Sequence, residues 1–181
     1  MLKPLYRGLE VLLETVSMAL LVSLAVIVVW AVAYRQLDIT MAWYDEVASV
    51  LLAYLAYYGA ALAALKRAHL GFPGLFNAMP EITRKVLFVT SEVLVYGFFV
   101  TLAWFGYVVL EVMHGETLVT VRWASLAMVH SIIPIGAALF ILAETLSLPE
   151  AWQRVVQGTD AEAEEIERAI REATEDAEGR A

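Results

Sequence analysis

The 181-residue chain is 61% hydrophobic, with a mean hydropathy of +0.70, where an ordinary soluble domain holds roughly 45 to 50% apolar residues. That composition excludes a water-soluble globule and marks an integral membrane protein. The chain has no cysteine, which removes disulfide frameworks, thiolate metal sites and CxxC redox chemistry. The formal net charge of −8 is concentrated in the tail: Thr159 to Ala181 carries nine acids and three bases, a net −6, and the rest of the chain only −2.

A bilayer core of about 30 Å, crossed at about 1.5 Å per helical residue, needs roughly 20 apolar residues. Four stretches qualify: Val16 to Tyr34, after an amphipathic start with Lys3, Arg7, Glu10 and Glu14; Tyr44 to Leu65; Val86 to Leu110, containing Glu92; and Trp123 to Leu148, containing His130 and Pro134. Lipid satisfies no backbone polar group and no alternating strand pattern is visible, so the spans are helices. The first is read as a retained span. Ala31 to Ala33 imitate a small-residue cleavage site, but the apolar region before them exceeds the usual length of about 7 to 15 residues, and Glu10 and Glu14 depart from a basic start.

The expected fold is therefore all-α, with four transmembrane helices over residues 1–158 and an acidic tail over 159–181. In the tail, Thr159 or Asp160 is a candidate helix cap, and Ile166 and Ile170 form an apolar pair. Lys3, Arg7, Lys66, Arg67, Arg84, Lys85 and Arg154 fall on one side of the membrane, Arg35 and Arg122 on the other. The positive-inside bias predicts both termini in the cytoplasm. Residues 66–85, KRAHLGFPGLFNAMPEITRK, join basic ends to an apolar middle, which suits a segment lying in the cytoplasmic interface; an ordinary solvated loop is the alternative.

The second span raises the question of function most directly. Asp45 and Glu46 occupy its outer first turn, where the helix dipole favours carboxylates, and Lys66, Arg67 and His69 follow its inner end. Trp43 and Tyr44 supply amphipathic rings at interface depth. Along the helix, Ser49, Ala53, Ala56, Ala60 and Ala63 recur at intervals of four and three, one small face suited to close helix packing in lipid. A well-anchored span explains the same pattern without any partner.

Chemistry-bearing residues are sparse. There is no HExxH, GxSxG or phosphate-binding glycine loop, and only His130 among the three histidines lies inside a span, one short of a bis-histidine haem. Glu92 reads as an in-membrane polar contact, to Arg84, Lys85 or another subunit, since a lone carboxylate lacks the convergent oxygens of an ion site. Glu144 reads as interfacial. No catalytic, substrate-binding or metal residue is assigned, and no cofactor, enzymatic activity or nucleic-acid partner is expected.

The order of these features resembles the small, DctQ-like membrane subunit of tripartite ATP-independent periplasmic (TRAP) transporters. The resemblance rests on Arg35 ending the first span, WYDE at 43–46, Gly59 and its following alanines, His69 within KRAHLGF, MPEITRK before the third span and IPIG at 133–136. It covers roughly residues 5 to 150. It implies a scaffold subunit in a bacterial or archaeal inner membrane, partnered by lipids, a large membrane subunit and a periplasmic substrate-binding protein. Uptake of organic anions by that complex would be driven by sodium, without ATP. Arg35, Trp43, Asp45, Glu46, Lys66, Arg67 and His69 would be partner-contact or anchoring residues. A homo-oligomeric channel and a small membrane redox subunit are the alternatives.

The topology is directly testable in this cysteine-free chain. Single cysteines replacing Asp38 or Glu116 should react with an impermeant maleimide in intact cells, and those replacing Asn77 or Thr159 should not; the reverse pattern would invert the orientation.

Overall fold

The computed structural model describes residues 2–39, 41–67, 80–157 and 170–171. Among these, every long element is a helix: α1 (Leu2–Arg35), α2 (Tyr44–Leu65), α3 (Glu81–Val112), the short α4 (Leu126–His130) and α5 (Ile132–Gln157). Four helical segments, 4–35, 44–65, 81–112 and 126–156, are long and apolar enough to cross a membrane. The four-span, all-α expectation holds. The second span matches its expected limits, the first and third extend further at both ends, and the fourth begins three residues later than expected, at Leu126, and runs further at its end.

Local chemistry explains the boundaries. Pro4 lies in the first turn of α1, where a missing N–H costs nothing. α1 ends on Arg35, a cation at the negative end of the helix dipole, and the chain turns through Asp38 at φ 58°, a left-handed conformation that Asp tolerates better than most residues. α2 opens without a side-chain cap, but with Asp45 and Glu46 in its first turn. The break between α4 and α5 falls at Ser131. Pro134 has no N–H to offer the carbonyl of His130 and its ring crowds that carbonyl, which interrupts the helical hydrogen-bond ladder there. Pro149, in contrast, lies inside α5. The fourth span thus continues past its expected end at Leu148.

The chain divides into two compact units. The first comprises residues 1–68 and 95–147. Its core joins Leu9 and Leu13 of α1, Ala61, Ala64 and Leu65 of α2, and Phe140, Ala143 and Leu146 of α5, with Phe99 of α3 packed against them. Phe99 stacks on Phe140 with centroids 3.6 Å apart, and the Tyr96 and Thr145 hydroxyls meet at 2.9 Å. Two glycines set the closest approaches. A Cβ on Gly106 would lie 2.8 Å from Ile133 Cγ2, and one on Gly136 would lie 2.7 Å from Tyr57 Cβ. Ile133, Pro134, whose Cδ would lie 3.0 Å from the same Gly106 Cβ, and Gly136 of the IPIG stretch are therefore helix-crossing contacts.

The second unit comprises residues 69–94 and 148–181. Among its described residues, Phe88 of α3 meets Trp152 of α5 at 6.0 Å between ring centroids. Ala151 and Val155 are buried, as are Arg84 and Glu92. Lys85 and Glu81 pair one turn apart on α3. Residues 68–79 of the expected interfacial segment, and all of the expected tail except Ile170 and Arg171, lie outside the described residues.

Gly136→Ala should force α2 and α5 apart, because the new methyl meets a Cβ held close to backbone and not a flexible side-chain tip. Overpacking of this kind costs about 1 to 3 kcal/mol. A fall in thermal midpoint in detergent is expected for Gly136→Ala, while Gly59→Ala, whose Cβ would meet nothing within 4 Å, should leave it unchanged or raised.

Candidate functional site

The groups singled out in the second span converge at the two ends of α2. At the Lys66 end, the Arg67 N–H turns back to the Ala64 carbonyl at 3.2 Å, and the last carbonyls of the helix otherwise depend on partners from outside it. Two neighbouring helices supply donors. The Tyr6 hydroxyl of α1 donates to the Leu65 carbonyl at 3.1 Å, and the Ser147 hydroxyl of α5 lies 3.2 Å from the Ala64 carbonyl and 3.1 Å from the Glu144 carbonyl. One hydroxyl proton serves one of these two acceptors at a time.

Arg67 completes this end. Its backbone is left-handed, at φ 52°, which carries the side chain away from the α2 axis and towards α5. Nη1 lies 2.8 Å from Glu144 Oε1, Nε donates to Ser147 Oγ at 2.8 Å, and Nη2 reaches the Glu144 carbonyl at 3.4 Å. The two side chains are 19% and 6% exposed. Burying such ions costs several kcal/mol each unless charge and hydrogen bonds are matched, and here a fork of guanidinium donors meets three acceptors. Glu144, read from the sequence as interfacial, is instead buried and ion-paired.

Lys66 points the other way, to Glu14 and Glu10 of α1. Its hydrogen bond to Glu14, reinforced by the charges of both carboxylates and opposed by partial desolvation, raises the Lys66 pKa above its usual value. A raised folded-state pKa contributes stability that is fully present below the unfolded value and is lost as pH rises through the folded one. The contribution is constant across neutral pH. With side-chain exposures of 39% for Lys66 and 47% for Glu14, the pair belongs to the exposed class worth about 0 to 1 kcal/mol. The two adjacent cations thus differ sharply in weight, and Arg67 is the one whose loss matters.

At the Trp43 end, Glu46 accepts hydrogen bonds from the backbone N–H groups of Val119 (3.0 Å) and Thr120 (2.9 Å) and from the Thr120 hydroxyl. The carboxylate holds the tip of the loop that joins α3 to α4. Tyr54, two turns further along α2, donates to the Met128 carbonyl of α4 at 3.0 Å.

The remaining expected residues are dispersed. Arg35, Trp43 and Asp45 are exposed, and Asp45 contributes its backbone carbonyl to the Ser49 hydroxyl at 2.7 Å. His69 lies outside the described residues. Ser49, Ala53 and Ala56 are exposed on this chain, Ala60 and Ala63 half-buried. The face buried within the chain runs through Ala61 and Ala64, one position on from Ala60 and Ala63 and so about 100° around the helix. Glu92 is buried, with 9% exposure. Among the described residues, no three His, Cys, Asp or Glu side chains group as a metal site, and His130 bonds the Leu126 carbonyl one turn back in its own helix. Sequence reasoning missed Tyr6, Ser147 and Thr120, each a single hydroxyl whose partner lies more than fifty residues away.

The family model of the DctQ component of tripartite ATP-independent periplasmic transporters matches residues 24–154. The match takes in α2, α3, α4, most of α5 and the last third of α1. No curated protein matches the chain.

Arg67→Ala removes the guanidinium partner of a buried carboxylate and should cost about 3 to 5 kcal/mol. The double variant Arg67→Ala with Glu144→Leu should recover much of it, and Lys66→Ala should stay within about 1 kcal/mol. Thermal unfolding of the four proteins in one detergent checks the order.

Proposed function

From the premise that the chain belongs to the DctQ family, the small membrane subunit of TRAP transporters, we propose that it is the scaffold subunit of a sodium-driven importer of organic acid anions. It is a multi-pass membrane protein of a transporter family, not of an enzyme family. The proposal places it in the inner membrane with both termini in the cytoplasm, beside a large membrane subunit that holds the substrate and sodium sites. A periplasmic binding protein delivers the anion.

One observation carries the scaffold role. Three charged groups at the ends of α2 are engaged within the chain: Arg67 with Glu144, Lys66 with Glu14, Glu46 with the α3–α4 loop. Meanwhile the apolar windows of the four spans are only 6, 11, 6 and 28% buried. Such a chain uses these three charges to brace itself and presents most of its apolar surface outwards, to lipid and to a partner. Ser49, Ala53 and Ala56 are the small positions through which a partner helix would approach most closely, while Arg35, Trp43 and Asp45 would meet that partner or the interface. Glu92 would act in assembly or stability, not as an ion site.

Proteoliposomes containing this chain alone should show no solute uptake. Adding the large subunit and the matching binding protein should give uptake that requires an inward sodium gradient and no ATP. Omitting this chain should abolish that uptake, and Glu92→Gln should change complex recovery more than sodium dependence. Uptake by the chain alone, or undiminished uptake without it, would refute the reading.

A further inference from the structure

The α3–α4 loop, residues 113–125, combines two features that do not normally occur together in a solvated connection. It is rigidly closed, and its tip is apolar. The Leu126 N–H donates to the Glu116 carbonyl at 2.8 Å and the Leu118 N–H to the Ala124 carbonyl at 3.1 Å, around an antiparallel bridge between Thr117 and Ser125. Yet Val119 is 83% and Trp123 86% exposed.

The depth of this loop follows from α2. That helix has 22 residues and is about 33 Å long, which matches a hydrocarbon core of about 30 Å with almost nothing to spare. Its first turn therefore lies at one boundary of the core. Glu46 sits in that turn and holds the Val119 and Thr120 N–H groups, so the loop tip is fixed at the same level. The loop also leaves α3 directly at Val112 and enters α4 directly at Leu126, and its internal hydrogen bonds prevent it from extending into water.

We propose that this Glu46-clamped loop is a lipid-binding element: Val119 and the Trp123 indole seat in the boundary between headgroups and acyl chains, and the adjacent, exposed Arg122 reaches lipid phosphate. Tryptophan favours this zone because its apolar ring and single N–H suit a region wet on one side only. The Val119 and Thr120 N–H groups and the Thr120 hydroxyl face Glu46, while His114 and Glu116 are exposed at the α3 end of the loop, which leaves Val119, Trp123 and Arg122 at the tip for the bilayer. Glu46 is the positioning residue. Without it the tip would be free to lift off the interface.

The absence of cysteine makes the depth measurable. A nitroxide on Val119→Cys, in the full chain reconstituted in liposomes of phosphatidylcholine and phosphatidylglycerol, should collide more with dissolved oxygen than with a water-soluble nickel chelate. Adding Glu46→Ala should shift the balance towards the chelate and increase label mobility, and Thr120→Val should do so to a lesser extent. A label at Trp123→Cys provides an independent reading of the same depth. Chelate accessibility equal to that of a label free in water would overturn the proposal. So would protection from both collision partners in the complex with the large subunit, because a protein surface would then cover the loop.

Discussion

Hydrocarbon offers no hydrogen bonds, so a polar group at the end of a transmembrane helix must be satisfied by protein or placed where water reaches it. The shortest span feels this most, because α2 has no spare turns with which to carry its ends into water. Its terminal carbonyls at Ala64 and Leu65 are met by Ser147 and Tyr6, and the cation that follows turns back onto Glu144. The left-handed backbone at Arg67 is what makes that return possible. The same economy governs the other end, where Glu46 is used to fix a loop and is not left to solvent.

These ties determine which helices α2 can neighbour. In lipid, apolar side chains gain little by leaving one hydrocarbon environment for another, so association relies on close packing and on polar contacts. Both appear in the first unit. Hydroxyls and the Arg67–Glu144 pair fix register, while Gly136 and Gly106 allow the backbones to approach where a methyl group would collide. The buried pair is weak evidence for stability as such, since a well-packed apolar replacement often does as well. Its value lies in permitting one register of α2 against α5 and penalising any slip that would separate the charges.

A small subunit arranged this way suits bracing better than gating. Glu46, Lys66 and Arg67 at the α2 ends are committed internally, and its spans remain largely open to their surroundings. Membership of the DctQ family supplies the context in which such a surface has a partner.

Composition and hydropathy alone determined the membrane class, the number of spans and the limits of α2, because crossing about 30 Å of hydrocarbon leaves a signal in length and polarity that no tertiary contact can alter. The WYDE and KRAHLGF stretches were legible as the ends of that helix for the same reason. Which side of α2 is buried was not legible. Alanines occupy both candidate faces, and only the positions of Tyr57 and Gly136 select the one through Ala61 and Ala64. Likewise, KR reads as two equivalent anchors, whereas folding sends Lys66 to an exposed pair on α1 and Arg67 to a buried pair on α5. Glu144 could be recognised as a partner only once α5 lay beside the end of α2. Pairings over some eighty residues depend on helix register, and register is decided by packing in three dimensions, which no local spacing records.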